Sequence, residues 1–249
     1  MRTTIALFLL LLTLGQAQEN PPSSEKKKET AKQEFFTPKR DRKKIHNNGK
    51  FIEGRPNVLI IGDSISIGYT PTVIAELEDT ANIFRIPANG GNTGKGLKQL
   101  DNWLGTQRWD VIHFNWGLWD LCYRNPKSKV QGNRDKVGGK LTTSLEQYEK
   151  NLDKLVSRLK KTKAKLIWAS TTTVPKGEAG RKKDDDNKYN EAAVRVMKKH
   201  GVAINDLNNV SDLFPPELFI GPGNVHFKTA GSKKLAETVA KSILKSLGK

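Results

Sequence analysis

From Pro56 onward two textures alternate along the chain. Short apolar runs (VLII at 58–61, IFRI at 83–86, VIHF at 111–114, LIWA at 166–169 and VAI at 202–204) have strand length, and several are apolar on both faces, as buried parallel strands are. Between them, apolar residues recur at helical spacing: Leu97, Leu100, Trp103 and Leu104; Leu145, Tyr148, Leu152, Leu155, Val156 and Leu159; Ala192, Ala193, Val196 and Met197; and finally Leu235, Ala236, Val239, Ala240, Ile243 and Leu244. Thr70-Pro71 predicts a further helix start, with a capping hydroxyl and a proline at the first helical position. The β-α alternation predicts an α/β three-layer sandwich built on a flavodoxin-like five-stranded parallel sheet, with right-handed crossovers. Ligands of such sheets sit at the carboxyl ends of the strands. Gly62-Asp63-Ser64, Gly90-Gly91-Asn92, Asn115-Trp116-Gly117 and Thr171-Thr172-Thr173 all fall at such ends.

Two polar, glycine-containing stretches, 123–140 and 176–188, interrupt the alternation just after strand ends. Loops of that length in a compact domain are usually functional or disordered, and both follow strand ends, where a loop can border the site. Asp184-Asp185-Asp186 in the second has no metal-ligand spacing and reads as a solvated helix start.

The first 55 residues have a different character. A basic start, an apolar core at 5–12 and Gly15-Gln16-Ala17 describe a secretory signal peptide over 1–17, too short for a stable membrane span. Residues 18–55 are polar, charged and broken by Pro21-Pro22, as a flexible leader is, with Phe35-Phe36 placed to dock on the domain that follows over 56–249. The protein is therefore expected outside the cytoplasm, secreted or periplasmic. One cysteine, Cys122, allows no internal disulfide and reads as a small buried apolar residue. The formal charge of +17 favours polyanions. With a signal peptide and no zinc-finger or ribonucleoprotein pattern, an acidic polysaccharide, a cell-wall polymer or a membrane surface suits it better than nucleic acid.

Ser64 ends an apolar run and is a candidate nucleophile, but a serine hydroxyl needs a base. Four histidines are available. His46 lies in the leader, His113 inside a strand, and His200 at a helix end where it complements the dipole. His226, in a loop before the last helix, returns to the strand-end rim. Gly91, Asn92 and Asn115 are candidate donors for a developing oxyanion, and Asp63, Trp116 and Trp119 lie beside them for substrate binding.

GDSIS at 62–66 resembles the first block of the SGNH (GDSL-type) hydrolases, GGNTGKGL at 90–97 the second, and NVHFKTAGSKKLA at 224–236 the last. The resemblance spans nearly the whole domain. It implies an esterase without metal or cofactor, in which Ser64 attacks an ester carbonyl and His226 relays the proton. The N–H groups of Ser64 and Gly91 with an asparagine side chain would hold the oxyanion. Two positions depart from the pattern. Gly117-Leu118-Trp119-Asp120 has Trp119 where the family has an oxyanion-binding Asn, so Asn115 or Asn92 is expected to replace it. Gly223 stands where an Asp usually precedes the histidine, which predicts a Ser–His dyad oriented by a backbone carbonyl of 222–224 rather than by the Asn224 side chain. Export, basic charge and rim tryptophans favour a small acyl group, acetyl first, on a carbohydrate. A lipase, lysophospholipase or thioesterase, and a degenerate hydrolase that only binds glycan, are the alternatives.

Overall fold

The computed structural model describes residues 49–249. The signal segment, Phe35-Phe36 and the rest of the leader up to residue 48 lie outside them. In chain order the elements are β1 (Asn57–Ile61), α1 (Ser64–Glu76), β2 (Asn82–Arg85), α2 (Thr93–Leu104), β3 (Val111–Phe114), the two-residue strands β4 (Tyr123–Arg124) and β5 (Lys140–Leu141), α3 (Leu145–Lys160), β6 (Lys165–Ala169), α4 (Asp185–His200), β7 (Ala203–Asn205), α5 (Leu207–Asp212) and α6 (Thr229–Leu247).

Five strands form one sheet in the order β2-β1-β3-β6-β7, and every pairing in it is parallel. This is the expected α/β architecture. Parallel pairing leaves strands buried on both faces, and Val58, Ile60, Ile61, Val111, Ile112 and Phe114 are fully enclosed. Helix α1 packs against α6, while α2 packs against α3 and α3 against α4. The register pairs Ile61 with Phe114 and Phe114 with Trp168, so β1, β3 and β6 finish level and their loops open on one edge. β4 and β5 form a small antiparallel ladder within the loop expected to border the site.

One predicted boundary moves. Thr70-Pro71 does not start a helix: α1 begins at Ser64 and carries Pro71 inside. An internal proline removes a helical hydrogen bond and costs about 3 kcal/mol in an exposed helix. Burial of Ile65, Tyr69 and Val73 outweighs it here. The consequence is chemical, because Ser64 becomes the first residue of a helix. The Asp184 cluster also differs from expectation. It does start α4, but Asp185 and Asp186 are buried, and Asp186 accepts from the Asn208 amide at 2.8 Å instead of facing solvent.

Residues 49–55 run beside β2, with the Gly49 N–H donating to Ile83 O at 2.8 Å and Asn82 bonding both polar groups of Ile52. Cys122 is buried and unpaired. Among the described residues no helix is long and apolar enough to cross a membrane.

Candidate active site

Ile61 ends β1 and the chain turns at once into α1. Asp63 is the N-cap: its Oδ1 accepts from the Ile65 N–H at 3.0 Å, and only 4 % of the residue is exposed. Asp63, expected from sequence to bind substrate, thus gives one carboxylate oxygen to the helix start and also lines the cleft that holds Ser64. Burial raises its pKa, which the Ile65 N–H partly offsets. The Ser64 N–H, at the first helical position, is one of the donors that a helix leaves unpaired.

A buried arginine that the sequence pattern hides inside an apolar run holds this turn in place. Arg85, at the end of β2, donates to Gly62 O at 2.8 Å, Asp63 O at 3.1 Å and Ser66 Oγ at 3.0 Å. It reaches Ile86 O at 2.8 Å and Ala88 O at 3.1 Å as well. Burial lowers its pKa to about 10, still a cation at neutral pH. Arg85→Met should strand these carbonyls and lower unfolding stability by about 3–5 kcal/mol, read by urea denaturation. A loss below about 1 kcal/mol would mean that the turn holds its shape without the guanidinium.

The next strand-end loop packs directly on that turn. The Gly90 N–H donates to Gly62 O at 2.8 Å, and a Cβ on Gly90 would stand 2.8 Å from the same oxygen, so only glycine fits.

The imidazole arrives from the opposite side. His226 sits in a loop closed by the Phe219–Phe227 bridge and by Ile220 N–H donating to His226 O at 3.0 Å. Its Nε2 lies 2.8 Å from Ser64 Oγ. Its Nδ1 lies 2.8 Å from Asn224 Oδ1, which also accepts the His226 backbone N–H at 3.0 Å. The second nitrogen is thus met by a side-chain amide oxygen and not by the backbone carbonyl expected from sequence. Because Oδ1 only accepts, Nδ1 carries the hydrogen and Nε2 is left free to accept from Ser64. Among the described residues no aspartate takes this place. Asp206 and Asp212 bond Ser170 and Thr173 instead. At Gly223 the backbone is left-handed (φ +64°), and a Cβ would lie 2.6 Å from Gly177 O, so no side chain fits there. Burial lowers the His226 pKa, an effect that the Asp63 charge opposes.

Ser64 and His226 line a cleft of about 240 Å³ together with Asn89, Trp119 and three arginines, Arg124, Arg134 and Arg181. The candidate oxyanion donors fare differently from expectation. Asn115 is turned away: its Nδ2 donates to Ala169 O at 2.7 Å, and it borders a small void rather than the cleft. Asn92 caps α2 through Lys95 N–H at 2.9 Å. The Gly91 N–H is directed at Asn89 Oδ1, 2.9 Å away. That bond leaves the Asn89 NH₂ group as a side-chain amide donor at the cleft, at a position the sequence did not single out; Gln131 is the other amide among the lining residues.

The two rim tryptophans separate. Trp116 is 1 % exposed and packs on Gly96, so it belongs to the core and not to a substrate surface. Trp119 faces the cleft, with the Arg124 guanidinium 4.5 Å above its ring. Asp120 of the same segment is buried and fastens α2, accepting from Thr93 N–H at 3.0 Å and Thr93 Oγ1 at 2.6 Å. His113 and His200 are occupied elsewhere. Burial holds His113 neutral, with a pKa of about 3, beside Asn205, and His200 bonds Asp153 at 2.7 Å. Among the described residues no group of three or more His, Cys, Asp or Glu side chains is placed to hold a metal ion.

The arrangement is that of an acyl-transfer site: a hydroxyl at a helix N-terminus, a base at hydrogen-bond distance, and a group orienting that base. Comparison with known proteins agrees in kind. The family described as GDSL-like Lipase/Acylhydrolase matches residues 60–234. No curated protein matches the sequence. Among solved structures, the acetyl xylan esterase AlAXEase superposes with a TM-score of 0.59 at 16% identity, over 75% of this chain and 99% of that one. A lipase/acylhydrolase from Enterococcus faecalis gives 0.60 at 17% identity, over 76% and 95%. Axe2, an acetylxylan esterase from Geobacillus stearothermophilus, gives 0.58 at 17% identity, over 78% and 94%. At such identities the likeness speaks for the fold.

Proposed function

Because this chain belongs to the GDSL-like lipase/acylhydrolase family and is an ester hydrolase, we propose that it is a secreted serine esterase that removes small acyl groups, acetyl first among them, from a carbohydrate. The observation that carries the catalytic part is the 2.8 Å contact between Ser64 Oγ and His226 Nε2 at a cleft of about 240 Å³. Ser64 Oγ attacks the ester carbonyl while His226 Nε2 takes its proton, and the tetrahedral intermediate collapses as that proton passes to the leaving alcohol. Water, activated by the same imidazole, then releases the acid and restores Ser64. The Ser64 N–H and the Asn89 amide hold the oxyanion. Removing one such donor usually costs about 10²–10³ in turnover, so Asn89→Ala should lower kcat by that factor while Asn115→Ala should not. The reverse pattern would return the role to Asn115.

The size of the cleft supports a short acyl group. A larger apolar groove of about 640 Å³, lined by Phe214, Phe219 and Ile220, shares no lining residue with it. The acetylxylan esterases among the structural neighbours and the presence of an aromatic ring, Trp119, in the cleft lining support a carbohydrate. The signal-like segment supports export. Turnover of 4-nitrophenyl acetate against 4-nitrophenyl decanoate, followed by acetate release from acetylated glycans, tests the reading. The acetate ester should win by at least about tenfold in kcat/KM. Preference for decanoate would favour a lipase. No turnover, with no labelling of Ser64 by a serine-directed phosphonate, would leave a protein that only binds.

A further inference from the structure

Three guanidiniums line this small cleft. Glu178, 0 % exposed, accepts from Arg134 at 2.6 Å and Arg181 at 2.9 Å, and its second oxygen takes the Gly180 N–H at 2.6 Å. Arg181 also donates through Nε to Leu118 O at 2.7 Å, and Arg134 through Nε to Gln131 O at 3.0 Å. Arg124 donates to Gly132 O and stacks on Trp119. In each of the three, Nη2 has no partner within the described residues, and none of these nitrogens is sealed from solvent. Two carboxylates offset the three cations, leaving positive charge in excess: Glu178 is turned into the arginine pair, and Asp63 gives Oδ1 to the start of α1 and also lines the cleft. These unspent N–H donors belong to residues that line the same cleft as Ser64 and His226, and the charges of Arg181 and Arg134 act on the imidazole.

We propose that this wall is an anion subsite, and that the ester this enzyme cleaves carries a fixed negative charge, a carboxylate or a sulfate, on the sugar close to the scissile acyl group. The inference rests on the esterase reading above and narrows its substrate class to acylated acidic saccharides. Planar guanidinium forks suit both oxyanions, and partial exclusion of water makes each charge-assisted bond stronger than a surface pair. Overall charge, screened over about 8 Å at physiological salt, gives no such positional preference.

The test compares an O-acetylated methyl glucuronide as the free acid, the same sugar as its uncharged carboxyl methyl ester, and an O-acetylated sugar sulfate. A charge-assisted hydrogen bond is worth roughly ten- to a hundredfold, so at least one anionic ester should exceed the methyl ester by about that factor in kcat/KM, and which one does identifies the anion. Arg124→Gln should collapse the ratio toward one. Arg124 is the residue to change because its side chain does not hold the buried Glu178. A parallel measurement, glucuronate and sulfate binding to the Ser64→Ala protein by calorimetry with and without Arg124→Gln, does not depend on turnover. Equal kcat/KM on all three esters overturns the anion subsite and leaves the esterase reading standing. So does a loss in Arg124→Gln that is the same on charged and neutral esters, which would make Arg124 a structural or oxyanion group. Arginine-dependent anion binding without hydrolysis of any ester keeps the subsite and overturns the esterase reading. Absence of both turnover and binding overturns the two together.

Discussion

Ser64→Ala should lower ester turnover by roughly 10⁴–10⁶ while leaving the protein folded. The change deletes one oxygen, the only one that His226 Nε2 faces at 2.8 Å. It leaves the Asp63 cap and the Arg85 bonds to Gly62 O and Asp63 O in place. Alanine suits the first turn of a helix, and the lost hydrogen bond is worth about 1 kcal/mol. Without the hydroxyl no acyl-enzyme forms, and the residual rate is what oriented water and the oxyanion donors supply. The measurement is kcat on 4-nitrophenyl acetate beside a urea unfolding curve. Near-native turnover in the alanine protein would dismiss Ser64 as the nucleophile. A collapsed unfolding curve would call for Ser64→Cys in its place, which keeps a side chain at the helix start and changes the attacking atom.

The second large effect is expected at Asn224. A Ser–His pair oriented by a backbone carbonyl would tolerate Asn224→Ala. A pair oriented by the Asn224 side chain would not, because Oδ1 fixes both the Nδ1–H tautomer and the ring plane. We expect kcat to fall by about 10²–10³ in Asn224→Ala, since an imidazole in the wrong tautomer presents a hydrogen where it should present a lone pair. The pH profile separates this from general damage. The neutral imidazole is the base, so activity rises with pH through the His226 pKa. Burial lowers that pKa, which places the acid limb of kcat/KM below the ordinary histidine value of ~6.5. Asn224→Asp puts a carboxylate on the same nitrogen, favours the imidazolium, and should move the acid limb upward. An Asn224→Ala enzyme with near-native kcat, or an Asn224→Asp enzyme whose limb does not move, would show that another group orients the ring.

Much of this was legible in the linear chain. The five apolar runs carry their own periodicity, and burial on both faces of a parallel sheet is what such runs can satisfy, so each lies within a residue or so of an observed strand. The alternation of strand and helix restricts the topology to one family of sheets, and the sheet brings its strand ends together. That is why Ser64 and His226, 162 residues apart, were nominated on chemistry and meet at 2.8 Å. The two long polar loops bordering the site were visible by the same logic.

The tertiary structure decided which amide, which ring and which charge face the cleft. Asn115 and Asn89 are both asparagines at strand-end loops, and no local pattern ranks them. Asn115 follows Phe114, which pairs with Trp168, so its amide comes opposite Ala169 and is spent on that carbonyl. Trp116 and Trp119 are equivalent in composition, yet one fills the space over Gly96 and the other stacks under Arg124. Pro71 argued locally for a helix start, and buried contacts along α1 overrode it and moved Ser64 to the helix N-terminus. Arg85 lies in an apolar strand, and nothing local announces the five acceptors around it, which come from the β1–α1 turn with Ser66 and from the segment after β2. Periodicity and propensity are properties of neighbours in sequence, and a side chain's partner across the sheet depends on register and packing between segments far apart in the chain. The sequence alone therefore specified the sheet and placed Ser64 and His226 at one rim, and the assembled fold alone decided that Asn224 Oδ1 meets the imidazole and which amides and arginines line the cleft.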